Sequence, residues 1–193
     1  PSQYQEFMAL SIIATVLGRQ VYLKHGISNL YPNLYMVLIG KSTIMRKTYC
    51  LNMAEKIIRE FNPELILPSD FSPEAIFNLL SDKSQGLIIW SEFGAFLINT
   101  IKSYQAGVKE FLTQAFDCPD VINKKLVAKT YTIEDLYLNI ITATTLHWFI
   151  DRITEADTMG GFLGRFIYRV SCLLIKSGRN PWAQKEPLNL TNK

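Results

Sequence analysis

The sequence has little of what secreted, disulfide-linked and zinc-binding proteins need. Its 193 residues include three cysteines and two histidines, and the cysteines, at positions 50, 118 and 172, are widely spaced. An odd number of scattered cysteines is typical of reduced thiols in a cytoplasmic protein rather than of a disulfide framework. Because the cysteines and histidines are not clustered, we expect no structural zinc site.

Long apolar runs are also missing. No run of about 18 residues is free of charged side chains, so we expect no membrane-spanning helix. The first six residues are polar and lack the basic start of a signal peptide. The chain does not begin with methionine, and we expect it to be a fragment of a longer protein.

Apolar side chains are what the chain has in quantity. Hydrophobic residues make up 48% of it and aromatic residues 12%, which is enough to bury a sizeable core. The length suits one domain, and such a composition argues against disorder. The net charge of +3 permits a nucleic-acid partner but does not establish one.

The most informative stretch is an apolar run, followed by a basic loop and a helical pattern. Leu34 to Ile39 predicts a buried strand that stops at Gly40, and residues 49–60 repeat apolar side chains at helical spacing. The loop between them ends in Lys47-Thr48. A strand, a glycine and a Lys-Thr pair at a helix N-terminus are the layout of a phosphate-binding loop.

In such a loop, backbone N–H groups hold the phosphates of a nucleotide. We expect Gly40, Ser42, Arg46 and Lys47 to bind phosphate, and the Thr48 hydroxyl to ligate Mg²⁺. The pattern departs from G-x-x-x-x-G-K-[ST], because six residues separate Gly40 from Lys47 and Arg46 replaces the second glycine. The alternative interpretation is a basic turn between a core strand and a surface helix.

A second apolar run ends in a carboxylate. Residues 86–90 predict a strand, and Ser91-Glu92 follows it. In nucleoside triphosphatases such a strand lies beside the phosphate-loop strand and ends in acids that serve the metal and the attacking water. We therefore expect Glu92 to contact Mg²⁺ and to act as general base, with Ser91 a weaker contributor to the metal site. The alternative is an acid that caps the next helix.

Two further stretches place polar residues at strand ends. Residues 136–145 predict a strand whose end presents Thr144, with Thr142 close behind, as a sensor of the γ-phosphate or the attacking water. Threonine is equally a good strand former. Arg165 follows three glycines and precedes another predicted strand. It would be an arginine finger for a neighbouring subunit or a sensor in its own site; the alternative is a salt-bridged arginine on a turn.

The most basic short region is residues 123–134, which predicts a hairpin or an extended arm. Lys124, Lys125 and Lys129 would contact the phosphates of a nucleic acid, or would protect a solvated edge strand.

Near the N-terminus, residues 3–18 predict a helix that stops at Gly18, and residues 20–24 a short strand. The predicted buried face of that helix comprises Phe7, Leu10, Ile13, Ala14 and Leu17.

Taken together, these stretches resemble a family of P-loop ATPase domains in the replication proteins of phages, plasmids and mobile elements. That family was originally defined as one of unknown function, and its members often follow a primase-polymerase module. The similar segments, which span about residues 5 to 172, are Pro32 to Tyr35, Gly40 with Arg46 to Thr48, Ser91 to Gly94, Asp117 to Pro119, Leu138 to Thr144 and Gly161 to Phe166.

The resemblance implies a three-layer α/β/α core of the RecA or AAA+ type over residues 1–175, with residues 176–193 a tail or a link to a further part. It implies an ATP- and Mg²⁺-dependent helicase or translocase in the cytoplasm, acting on single-stranded DNA as a hexameric ring beside a primase-polymerase module. Gly164-Arg165-Phe166 is similar to the Ser-Arg-Phe finger of minichromosome-maintenance helicases. The basic arm resembles the hairpin with which superfamily 3 helicases grip DNA.

Some residues depart from that family pattern. Lys41 and Met45 stand where small residues are common in phosphate loops, and Ser91 replaces an acid. A second hypothesis is therefore a degenerate NTPase fold that scaffolds a replication or defence complex with little or no hydrolysis. A small-molecule kinase is a third, weakened by the lack of an arginine-rich lid.

Overall fold

A computed structural model of the chain describes residues 2–42, 45–101, 107–125 and 129–171. The predicted tail over residues 176–193 lies outside this part. The helices are α1 (Ser2–Leu17), α2 (Lys47–Phe61), α3 (Pro73–Asp82), α4 (Phe93–Asn99), α5 (Val108–Phe116), α6 (Leu146–Ile150) and α7 (Glu155–Met159). The strands are β1 (Leu23–His25), β2 (Ser28–Leu30), β3 (Tyr35–Ile39), β4 (Ile66–Leu67), β5 (Gln85–Trp90), β6 (Val121–Lys125), β7 (Thr130–Glu134), β8 (Tyr137–Thr144) and β9 (Phe166–Val170). Of the described helices, none has the length and apolarity needed to cross a bilayer.

Five strands form a parallel sheet in the order β4-β5-β8-β3-β9. Every residue of β3 and β8 is buried, as continuous apolar runs in a sheet covered on both faces require. The predicted α/β class is therefore confirmed. The expectation that β5 lies beside β3 is wrong, because β8 pairs with both strands and separates them. With eight buried residues, β8 takes the central position.

Helices cover both faces of this sheet. Side chains of β3 alternate between the faces: Met36 and Leu38 pack with α1 and α2, while Val37 and Ile39 pack with α3, α4 and α5. The result is a layer of helices on either side of the sheet, each with its own apolar core.

Helix α1 has its predicted extent but not its predicted buried face. Leu10 and Ile13 are 52% and 55% exposed, whereas the buried residues are Tyr4, Met8, Ser11, Ala14 and Thr15. Hydrogen bonds to the sheet set this rotation: the Tyr4 hydroxyl donates to the Ile39 carbonyl, and the Tyr137 hydroxyl donates to the Ala14 carbonyl. Of the predicted face, Ala14 is buried and Phe7 and Leu17 are half-buried, so apolar periodicity alone was wrong for Leu10 and Ile13 and missed the buried polar residues.

Two antiparallel hairpins accompany the sheet. Strands β1 and β2 pair with each other, and all residues from 21 to 30 are exposed. The sequence had predicted only the first of these strands, a few residues earlier. Strands β6 and β7 form the second hairpin, so residues 123–134 contain a hairpin rather than an extended arm. Ile122 and Ile133 anchor it in the core.

A buried ion pair joins α5 to α7, a helix that the sequence did not predict. Asp157 is 3% exposed; its carboxylate accepts a hydrogen bond from Lys109 and forms a capping box with Thr154. Burial tends to raise the pKa of Asp157, but the hydrogen bonds from Lys109 and Thr154 outweigh burial, and the pKa lies below its ordinary value. The ionised carboxylate is therefore the form that stabilises this contact.

We predict that Asp157→Asn lowers the free energy of unfolding by about 1.5–3 kcal/mol at neutral pH, because a charged hydrogen bond to a partly buried lysine is lost. Since the folded-state pKa lies below the unfolded one, this stabilisation is present above the unfolded pKa and is lost as pH falls through the folded pKa. Urea unfolding of both proteins from pH 7 to pH 3 measures the difference. Glu64→Gln, in the exposed pair with Lys83, is the control and should cost less than about 1 kcal/mol. A difference between wild type and Asp157→Asn that does not change with pH would contradict this account.

Candidate functional site

Four residues from three strand ends and one helix form a single hydrogen-bonded network. Lys47 Nζ donates to the Gly40 carbonyl over 2.6 Å, and the Gly40 N–H donates to the Thr144 carbonyl over 3.2 Å. Thr144 Oγ1 in turn donates to Glu92 Oε1 over 2.6 Å. Gly40, Thr144 and Glu92 follow or end β3, β8 and β5, so the network lies at the carboxyl edge of the sheet, where open α/β sheets bind ligands. The sequence predicts all four as site residues, from three separate stretches, and the network brings them together.

The N-terminus of α2 opens onto this network. Among the described residues, the first hydrogen bond of the helix runs from the Cys50 N–H to the Arg46 carbonyl, and the N–H groups of residues 47–49 precede it. Arg46 occupies the N-cap position in a left-handed conformation, with φ 47° and ψ 37°, and its side chain does not cap the helix. The N–H groups at a helix start and the helix dipole favour an anion at this end.

Burial lowers the pKa of the Lys47 ammonium, and the nearby Glu92 carboxylate partly opposes that effect. A cation withdrawn from water interacts more strongly with a second charge than an exposed one does. Lys47 is therefore a partly desolvated cation beside a helix N-terminus, which is the combination that binds phosphate.

Glu92 is held by two donors. Its Oε1 accepts the Thr144 hydroxyl and, over 3.3 Å, the N–H of Gly94 in the first turn of α4. The capping contact considered as the alternative for Glu92 is thus present, and it occurs together with the contact to Thr144. Thr144 is fully buried, so its side chain is fixed beneath the carboxylate.

Ser91 and Glu92 line a cleft of about 380 Å³ between α2 and α4. Its walls also carry the carboxylates of Glu55 and Asp70, and the Trp90 ring, which stacks on Phe96. Ser91 and Thr48 are exposed, and so is Ser42 in the turn after Gly40. Within the described residues, no three histidine, cysteine or acidic side chains cluster as a metal site. The metal roles of Thr48, Ser91 and Glu92 stay predictions.

Arg165 lies at the opposite edge of the sheet. In the pairing of β3 with β9, Tyr35 stands opposite Phe166, so Arg165 precedes the amino ends of these strands while Gly40 follows their carboxyl ends. Five strand residues span about 16 Å. The expectation of a sensor in its own site is therefore wrong. Arg165 instead pairs with Asp117 over 3.4 Å and donates to the Gly161 carbonyl, and its role in a neighbouring subunit stays a prediction.

The three predicted nucleic-acid lysines do not share one environment. Lys129 Nζ donates to Asn78 Oδ1 and lies 4.9 Å from the centre of the Tyr131 ring. Lys124 Nζ lies 6.0 Å from the centre of the Phe111 ring, while Lys125 is exposed. Adjacent residues of a strand face opposite sides, so the side chains of Lys124 and Lys125 leave the hairpin on opposite faces.

Sequence reasoning missed Tyr4, which adjoins the network. Its hydroxyl donates to the carbonyl of Ile39, the residue immediately before Gly40. Tyr4, Met8, Ser11 and Thr15 follow one another at helical spacing and are all buried. A search for a mixed polar and apolar face, rather than an apolar one, would have found them.

No protein-family model matches the chain, and no curated protein shows significant similarity to it. The family resemblance therefore stays a prediction, and the functional argument rests on the geometry of the site.

The conformation of Arg46 generates a stability prediction. A left-handed backbone costs a residue with a side chain about 1–2 kcal/mol, and glycine avoids that cost. We expect Arg46→Gly to be more stable than Arg46→Ala by about 1 kcal/mol, since both remove the same side-chain interactions.

Chemical denaturation of the two variants measures this difference. The same pair of substitutions at Lys56, exposed in the middle of α2, is the control. There the order should reverse, with the glycine variant less stable by about 1 kcal/mol. Equal stability of the two Arg46 variants would mean that the loop does not hold Arg46 in the left-handed conformation.

Proposed function

We propose that this chain is a P-loop ATPase that binds ATP and Mg²⁺ at the carboxyl edge of its sheet. The observation that carries the proposal is the network of Lys47, Gly40, Thr144 and Glu92. It joins a basic residue at a helix N-terminus, a glycine turn, a strand-end acid and a strand-end hydroxyl, which are the parts that phosphoryl-transfer sites need.

The phosphates would lie against the N-terminus of α2. Lys47 neutralises part of their charge, and the N–H groups of residues 47–49 donate to phosphate oxygens. On binding, Lys47 exchanges its hydrogen bonds to loop carbonyls for hydrogen bonds to phosphate. The negative charge of the phosphate compensates the cost of desolvating the Lys47 ammonium. Gly40, Ser42 and Arg46 form the turn that brings these groups together.

Hydrolysis would be assisted by Glu92 as general base. Thr144 holds the Glu92 carboxylate through a hydrogen bond, and the cleft beside Glu92 has room for water. Mg²⁺, held by the Thr48 hydroxyl and by water near Ser91 and Glu92, would supply charge stabilisation for the phosphates. The oxygen ligands at these positions suit that hard cation.

The finer proposal, from the family resemblance, is a DNA helicase or translocase that works as a hexameric ring with a primase-polymerase module. The position of Arg165 supports assembly, because that guanidinium lies on the edge opposite its own site. An arginine finger at this position serves a neighbouring subunit, after leaving its contact with Asp117.

A second function is favoured by one feature of the loop. Met45 is 1% exposed and packs in the core with Tyr4 and Cys50, at a position where phosphate loops commonly carry small residues. A loop anchored by a buried methionine would bind nucleotide without closing tightly on it. This feature supports a nucleotide-binding scaffold with little hydrolysis.

Turnover assays separate these functions. We expect Lys47→Ala and Glu92→Gln each to lower ATP hydrolysis by about 100-fold or more, because one removes the phosphate-binding cation and the other the base. Lys56→Ala, on the exposed side of the same helix, is the matched control and should retain wild-type turnover. Circular dichroism would establish that all three variants are folded.

Phosphate release with Mg-ATP, with and without single-stranded DNA, is the measurement. Wild-type turnover in both Lys47→Ala and Glu92→Gln would overturn the ATPase proposal. The scaffold would be favoured by a different result: the wild type binds nucleotide, Lys47→Ala weakens that binding, and no turnover occurs under any condition.

DNA contact has its own test at Lys125, an exposed lysine at the end of β6. A lysine that neutralises one phosphate contributes about one unit to the slope of log K against log salt concentration. We expect Lys125→Ala to weaken single-stranded DNA binding for all sequences and to reduce that slope by about one. Lys83→Ala, at a lysine paired with Glu64, is the control; equal slopes for Lys125→Ala and wild type would exclude the contact.

A further inference from the structure

We propose that Tyr4 of α1 is a positioning residue for the phosphate loop: it fixes the peptide unit from which the loop begins. The inference deepens the proposed function and rests on it for its effect on nucleotide. It concerns a residue outside the strand-loop-helix unit that binds phosphate.

The peptide unit between Ile39 and Gly40 is held from both sides. Its carbonyl accepts hydrogen bonds from the Tyr4 hydroxyl over 2.7 Å and from the Ser171 N–H over 2.9 Å. Its N–H, which belongs to Gly40, donates to the Thr144 carbonyl. The next carbonyl along the chain, that of Gly40, accepts the hydrogen bond from Lys47 Nζ. Tyr4 is thus two hydrogen bonds away from the proposed phosphate-binding cation.

The Tyr4 hydroxyl also accounts for the glycine at position 40. A Cβ atom there would lie 2.5 Å from Tyr4 Oη and 3.0 Å from Met45 Cγ, and the first of these distances is too short for any real contact. Tyr4 is fully buried, and burial raises the pKa of its phenol, so the hydroxyl keeps its proton and stays a donor. The start of the loop is therefore shaped by α1 as well as by the loop itself.

The chain contains a matched control. Tyr137 is also fully buried, and its hydroxyl donates over 2.8 Å to the carbonyl of Ala14 in α1. Both tyrosines therefore join α1 to the sheet by one hydroxyl–carbonyl bond. Tyr4 makes its bond at the carboxyl edge beside Gly40, whereas Tyr137 begins β8 at the amino edge. A merely structural role would give the two residues the same phenotype.

The first test compares Tyr4→Phe with Tyr137→Phe in the whole chain. We expect similar losses of thermal stability, but a rise of about three- to tenfold in the Kd for Mg-ATP only in Tyr4→Phe. In turnover, Tyr4→Phe should raise KM with kcat within about twofold of wild type, because Glu92 and Thr144 stay in place. Equal nucleotide affinity in the two variants would overturn the positioning role.

The second test does not depend on nucleotide. Hydrogen exchange of the Gly40 amide, which is protected by the Thr144 carbonyl, should be faster in Tyr4→Phe than in wild type or Tyr137→Phe. If the wild type binds no nucleotide yet Gly40 exchanges faster in Tyr4→Phe, the ATPase proposal fails while Tyr4 still positions the loop. Unchanged exchange in Tyr4→Phe would overturn the inference about Tyr4, whatever the nucleotide assays give.

A double-variant cycle tests the contact itself. Gly40→Ala should be strongly destabilising, because its methyl group meets the Tyr4 hydroxyl. In the Tyr4→Phe background that oxygen is gone, so the added cost of Gly40→Ala should be smaller, with Met45 causing what is left. Costs that are simply additive would show that Tyr4 does not shape the turn.

Discussion

The pairing of β3 with β8 is the interaction on which the site depends. These two strands place Gly40 beside Thr144, and the hydrogen bond from the Gly40 N–H to the Thr144 carbonyl extends the ladder one residue beyond the end of β3. On its other side β8 pairs with β5, which brings Glu92 to the same edge. In a parallel sheet all strands have their carboxyl ends at the same edge. Residues that are far apart in sequence therefore meet at that edge. The burial of β8 on both faces thus stabilises the core and also holds the site residues in position.

In the loop after β3, one residue has the backbone conformation that glycine favours although it is not a glycine. Arg46 stands where a phosphate-binding loop usually has glycine, yet its backbone takes the left-handed conformation that glycine favours. The fold therefore imposes the conformation, and the residue tolerates it. Such strain persists only where the surroundings hold it, and here those surroundings include the buried Met45 and the start of a 15-residue helix. An exact motif search compares side chains and so cannot detect a conformation that a different residue adopts.

The sequence predicted strands and helices well where the apolar residues follow a single periodicity. The apolar runs of β3, β5 and β8 and the stop of α1 at Gly18 all follow from local chemistry. The convergence of Lys47, Glu92 and Thr144 was predictable because the carboxyl ends of parallel strands lie at the same edge of a sheet. What failed depended on three-dimensional pairing: the order of β5, β8 and β3, the rotation of α1 and the position of Arg165 all arise from contacts between segments distant in sequence. Polar bonds such as that of Tyr4 to Ile39 leave no periodic signal, so patterns of apolar residues do not show them.

The direction of the strands also determines which charged residues of this chain can lie close to one another. Lys47 and Glu92 lie at the carboxyl edge, and Arg165, with its partner Asp117, lies at the amino edge. No side-chain rearrangement brings these edges together, because a strand of five residues already exceeds the reach of an arginine. A second copy in head-to-tail orientation would place one edge against the other, and repetition of that contact closes a ring when the rotation allows it. The catalytic part proposed for Arg165 therefore requires a second copy of the chain.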